Sequence, residues 1–175
     1  MDILKEQFQS KCIRVVREYY FERRLPFTLN QIKYIFSKFH CFQRGTQKII
    51  MFKFAGNATV FISTNRMVIH GAPDKIAWIL AVLSTHLRKR GLLRTFKIGA
   101  FKTLFERRLF KNVPPSFPRE HFKFFKHSEN DSGLGGKYSS VDRYIFPTRI
   151  DGMGIWMGYF EKAKELHIAW SRIKK

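Results

Sequence analysis

Acidic residues are scarce in this chain of 175 residues: 13 Asp and Glu stand against 33 Lys and Arg, a formal net charge of +20. Self-repulsion on that scale calls for an acidic partner, and nucleic acid is the commonest one. Cysteine is rarer still. Cys12 and Cys41 alone supply neither a disulfide framework nor a metal set. Long apolar runs are missing too, since the longest, residues 76–83, is far too short to span a bilayer. No segment pairs a basic face with a long apolar one, which argues against a membrane surface as the acidic partner. The opening residues mix Asp, Lys, Glu and Gln and do not read as a secretory signal.

Signals of catalysis are equally sparse. His70, His121, His127 and His167 fall in separate predicted elements, and no zinc spacing joins them to the two cysteines. Asp and Glu form no convincing pair, and the Gly-rich stretch 133–136 lacks the Lys-Ser/Thr that would follow in a phosphate-binding loop. The expectation is a protein that is not an enzyme, without cofactor, metal or small-molecule substrate. An intracellular setting is expected, in a nucleus or a viral replication compartment.

What the chain does have is hydrophobic mass, 45% of its residues, enough to bury a core. It also repeats itself. Phe21-Glu22-Arg23-Arg24-Leu25 recurs letter for letter as Phe105-Glu106-Arg107-Arg108-Leu109, and a strand-like run ending at Gly71 has a weaker echo ending at Gly158. Two similar shifts in the same order suggest one structural unit used twice, after a lead-in over residues 1–10: a first repeat over 11–92 and a second over 93–175.

Local signals fill in the plan. Val, Ile and Tyr interleaved with Arg predict a strand over 13–21. Thr28 reads as an N-cap before a short helix reaching about residue 38. Three strands follow over 48–54, 59–63 and 66–70, joined by turn residues at 55–57 and 64–65. Pro73 and Asp74 start a helix that Gly91 stops, with Ile76, Ile79, Leu80, Leu83 and Leu87 as one apolar stripe. The second half repeats the order with predicted strands over 96–104, 138–146 and 154–157. A short helix is expected within 116–125, a polar loop over 129–136 and a terminal helix over 159–175. The implied fold class is α+β: a curved antiparallel sheet of about ten strands in two equivalent sets, with two long helices on one face.

This order resembles the core of the TATA-box-binding protein family, a pseudo-two-fold saddle whose halves share this plan. Phe61-Ile62-Ser63-Thr64-Asn65-Arg66-Met67-Val68-Ile69-His70-Gly71-Ala72 is similar to the strand-turn-strand commonly written I-F-S-S-G-K-M-V-C-T-G-A. Phe96-Lys97-Ile98 resembles the F-K-I that opens the family's second half, and residues 150–158 match its V-S-G-K-V-V-L-T-G loosely. The resemblance implies double-stranded DNA on the concave sheet and transcription initiation factors or RNA polymerase on the helical side. The family kinks DNA with paired phenylalanines. The matching positions here fall on Ile62 and near Arg149, and the family's central asparagines align with Cys12 and with Ala100 or Gly99. That substitution implies shape-tolerant binding with weaker bending.

Alternation along the strand assigns Ile62, Thr64, Arg66, Val68 and His70 to one face, the open one, and Met67 and Ile69 to the face under the helix. By the repeat, Met153, Ile155 and Met157 join the open set. An apolar strip flanked by cations suits the minor groove. Arg14, Arg17, Arg23, Arg24, Arg107 and Arg108 are placed near strands or edges, where they are candidates for phosphate contact. Two other readings stand beside duplex DNA: a structural RNA-binding protein of a ribonucleoprotein, and a protein-docking module that has lost nucleic-acid contact.

Overall fold

The computed structural model describes residues 2–43, 46, 48–117, 126–127, 143–145, 148–150, 153–160 and 162–172. The chain divides into two compact units, Arg14–Leu104 and Met1–Ile13 with Phe105–Lys175.

The first unit contains the part of strand β1 (Ser10–Phe21) from Arg14 onward, helix α2 (Leu29–Ile35, following α1 at Asp2–Gln7), and strands β2 (Phe42–Gln43), β3 (Ile50–Phe54), β4 (Ala58–Ile62) and β5 (Arg66–Gly71). Helix α3 (Pro73–Lys89) and the beginning of β6 (Ile98–Phe110) complete it. Its antiparallel strand order runs β2-β3-β4-β5-β1. A capping box starts α2: the Gln31 amide donates to Thr28 Oγ1 at 3.2 Å, and the Thr28 amide donates to the Gln31 side chain at 2.8 Å. Pro73 occupies the first turn of α3, where its missing N–H is no loss. The helix buries Ile76, Ile79, Leu83, His86 and Leu87 as one stripe. His86 donates through Nε2 to the Ile35 carbonyl at 2.7 Å, tying the end of α2 to α3.

Both helices lie on the same face of this unit's sheet. A Cβ on Gly71 would stand 3.3 Å from Ala58 Cβ and 3.8 Å from the Ile76 side chain, so helix and sheet approach closely there. Phe36, just after α2, stacks on Phe52 of β3 at 5.6 Å. Phe52, Val60, Ile62 and Ile69 are fully buried on that covered face.

In the second unit the latter part of β6 pairs with β11 (Glu165–Arg172), which pairs with β10 (Met153–Phe160). The row continues through β8 (Arg143–Ile145) to β7 (Lys126–His127), and β9 (Thr148–Ile150) also pairs with β10. Leu4, Phe110, Val113, Phe117, Met157, Tyr159, Leu166 and Ile168 form its core.

The α+β, antiparallel class is as expected, and three expectations are corrected. The helix expected over 159–175 is corrected in its described part, 159–160 and 162–172: β10 and β11 form a hairpin, with Lys164 between them at φ 51°. Leu166, Ile168 and Trp170 alternate with His167 and Ala169, a two-residue period that suits a strand with both faces occupied. Among the described residues α3 is therefore the one long helix. The repeated pentapeptide also has two different settings. Phe21 ends β1 and residues 22–25 form a loop, whereas Phe105 to Leu109 lie inside β6. Finally, β6 runs six residues past the predicted end at 104.

Of the range 116–125 expected to hold a short helix, Ser116 and Phe117 are described and helical; residues 118–125 and the 129–136 loop lie outside the described residues. Of the strand expected over 138–146, the described part is β8. No helix among the described residues is long and apolar enough to cross a membrane.

Candidate nucleic-acid interface

Strand register sorts the side chains of the first unit. Val68 pairs with Phe61 and with Glu18, His70 with Thr59 and with Val16, and Arg66 with Tyr20. Phe61 in turn pairs with Met51, and Thr59 with Lys53. Paired residues share a face. The open face therefore carries Met51, Lys53, Thr59, Phe61, Arg66, Val68 and His70, with Arg14, Val16, Glu18 and Tyr20 from β1. Lys102 joins them, its ammonium 5.5 Å from the Tyr20 ring.

Arg66, Val68 and His70 stand where alternation put them. Ile62 does not. It pairs with Met67, has no exposed surface, and belongs to the covered face. The cause is the two-residue turn at Thr64 and Asn65, closed by the Ser63 amide donating to the Arg66 carbonyl at 2.9 Å. Across such a turn an even-numbered residue meets an odd-numbered partner, so counting straight through it inverts the face of β4. Thr64 lies in the turn itself, where its carbonyl accepts from the Leu25 amide at 2.8 Å. Phe61 replaces Ile62 on the open face, its ring 5.2 Å from the His70 imidazole.

The electrostatics of this face centre on Glu18, an acidic residue that no sequence motif marks. Its side chain is 4% exposed and accepts from Arg66 Nη1 at 2.6 Å, while the Arg66 side chain stays 39% exposed. The hydrogen bond to Glu18 raises the basicity of Arg66, and Tyr20's own hydrogen bond to Glu18, with burial, pushes the Tyr20 phenol up. Arg14 reaches the Asn57 carbonyl at 3.5 Å. His70 is held below the usual histidine range, first by burial and then by the nearby Arg14. The half-buried Phe61 and Val68, with the buried Met51 and Val16 beside them, thus form an apolar strip bordered by Arg14, Lys53, Arg66 and Lys102.

In the second unit, Met157 is 6% exposed within the core, so its expected place on an open face is corrected. Tyr159 and Ile168 pack in the same cluster, which sets that side of the hairpin inward. Met153 and Ile155 share its strand parity on β10, and Arg149 lies opposite Gly154 on β9. Arg107 and Arg108 have internal partners. Arg107 donates to His167 Nδ1 at 3.0 Å, and Arg108 meets Glu106 at 2.8 Å and Ser10 at 3.3 Å. Arg17 lies 5.9 Å from the Phe101 ring, and Arg23 and Arg24 are exposed.

No protein-family model matches the chain, and no curated protein matches it. A solved structure does: Methanococcus jannaschii TBP, with a TM-score of 0.59 over 95% of this chain and 90% of that one, at 8% sequence identity. At that identity the likeness is one of fold, and the chain has a TBP-like α+β fold.

Proposed function

We propose that the chain binds double-stranded DNA through the open face of its first unit and acts in transcription initiation. The observation that carries the reading is the face itself: an apolar strip containing Phe61 and Val68, bordered by Arg14, Lys53, Arg66 and Lys102, with both helices of the unit on the other side. The minor groove offers little beyond its width and its phosphate walls, and an apolar strip between cations meets both. The net charge of +20 supplies the long-range attraction, and the TBP-like fold gives the precedent for a sheet used in this way. The helical side is the surface for initiation factors or polymerase.

Two features shape the mechanism. Phe61 is the side chain on this face suited to wedge between base steps, with His70 beside it. Glu18 restrains Arg66, so part of the cationic border is neutralised before DNA arrives. The reading therefore implies modest affinity, weak preference for A·T-rich sequence and reliance on a partner for placement. Competition among duplex DNA, structured RNA and single strands at equal ionic strength tests it. Duplex should win, with affinity falling about 0.9 log unit per phosphate contact for each log unit of salt. A preference of roughly tenfold for structured RNA would replace it with the ribonucleoprotein reading.

A further inference from the structure

A second cationic feature of the first unit lies in residues that the open face does not use. A cleft of about 640 Å³ is lined by Arg23, Arg24, Arg94, Thr95 and Lys97, with Glu22 as its carboxylate. Four cations thus converge on a concave space against one acid, and Lys97 already pairs with that acid at 3.4 Å.

The walls are fixed. In the 22–25 loop the Glu22 amide donates to the Lys97 carbonyl and the Leu25 amide to the Thr64 carbonyl, each at 2.8 Å. Leu25 is buried, and Arg23 and Arg24 project between these two ties. The opposite wall is a turn in which the Phe96 amide donates to Leu92 and the Lys97 amide to Arg94, at 3.2 and 3.3 Å. Its Phe96 ring is buried against Phe21, Phe27 and Phe36, with centroids 5.7, 5.9 and 5.5 Å away. A ligand would need to order the cationic side chains only, because the backbone behind them is already held.

Like charges gathered in a cleft repel one another, and a multivalent anion reverses the sign of that interaction. Guanidinium groups match phosphate oxygens two at a time, and three arginines with a lysine exceed what one carboxylate needs. We propose that this cleft is a phosphate-binding site, in which Arg23, Arg24 and Arg94 make forked contacts and Lys97 supplies a point charge. Thr95 offers a hydroxyl at the same wall. The phosphates come either from a nucleic-acid strand or from a free phosphorylated ligand.

Calorimetric titration with inorganic tripolyphosphate, at constant ionic strength, tests the site. The triple variant R23Q/R24Q/R94Q should bind at least about tenfold more weakly than wild type. The control R88Q/K89Q/R90Q removes the same formal charge from the end of α3 and should lose far less. Glu22→Gln, which removes the carboxylate, should bind more tightly. Equal losses in the two triple variants, or unchanged affinity in Glu22→Gln, would overturn the site. So would binding of polyglutamate as tight as that of tripolyphosphate. The duplex-DNA salt slope then identifies the source. A slope lowered in the cleft variant by about 0.9 for each lost contact assigns the phosphates to nucleic acid. An unchanged slope with tripolyphosphate binding lost assigns them to a free ligand. Wild-type binding of tripolyphosphate without any duplex binding would keep the cleft and remove the duplex reading. Duplex binding without tripolyphosphate binding would do the reverse.

Discussion

Arg66 and Glu18 meet across two adjacent strands at 2.6 Å, with the carboxylate almost wholly buried and the guanidinium partly in water. The asymmetry decides what each partner does. Removing Arg66 takes the cation from a buried carboxylate and leaves it the Tyr20 hydroxyl, whereas removing the charge of Glu18 releases a cation that water can still reach.

Arg66→Ala should therefore lower stability by about 1–2 kcal/mol, less than a fully buried pair because the arginine is partly solvated. Glu18→Gln should cost less than that. It should also tighten duplex binding, because a carboxylate leaves the open face and Arg66 is freed. Urea denaturation and fluorescence anisotropy on the two variants check both statements. Weaker duplex binding by Glu18→Gln would mean that the pair serves to position Arg66.

Ile62 and Phe61 are neighbours in sequence with opposite roles. Ile62→Ala should destabilise the protein by roughly 3 kcal/mol, because it empties a fully buried site under the helices. Phe61→Ala removes a half-buried ring and should mainly reduce duplex affinity and bending. Chemical denaturation and energy transfer on end-labelled duplexes separate the two. The reverse pattern would return Ile62 to the open face.

His70 provides a pH test. Its pKa in the folded state lies below the unfolded value of about 6.5. The folded protein thus binds fewer protons, and stability is lost as pH falls below about 6.5 toward the folded value. His70→Gln should make the loss between about pH 7 and pH 5 shallower than in wild type. Thermal melts across that window check it, and an equally steep loss in the variant would rule out His70 as a source.

Much of the first unit was legible because its signals are local. Thr28 with Gln31, Pro73 with Asp74, and the spacing of Ile76, Ile79, Leu83 and Leu87 each act within a turn or a single face. Two misreadings came from pairing, which no single strand displays. The face of Ile62 depends on how a two-residue turn sets register, and counting along the chain cannot supply that. The helix expected over 159–175 rests on Ala163, Leu166, Ile168, Ala169 and Trp170 as an apolar side, yet what decides residues 165–172 is a hairpin with β10 and a core holding Tyr159. The pentapeptide misled for a different reason. Its letters match, but Glu22 leaves the sheet at the end of β1 while Glu106 lies within β6, so identical words follow different neighbours. Glu18 was missed because a lone acid among many cations looks solvated until its cross-strand partner is known.

Charge reversal at two lysines tests the central claim most directly. Lys53 is exposed on the open face, and Lys89 is exposed at the end of α3. The two variants Lys53→Glu and Lys89→Glu change net charge equally, so long-range attraction to DNA falls by the same amount in both. Anisotropy titrations with a labelled duplex at fixed salt should show Lys53→Glu losing roughly tenfold in affinity and Lys89→Glu losing much less. Equal losses, or a larger loss at Lys89, would contradict the placement of DNA on the open face.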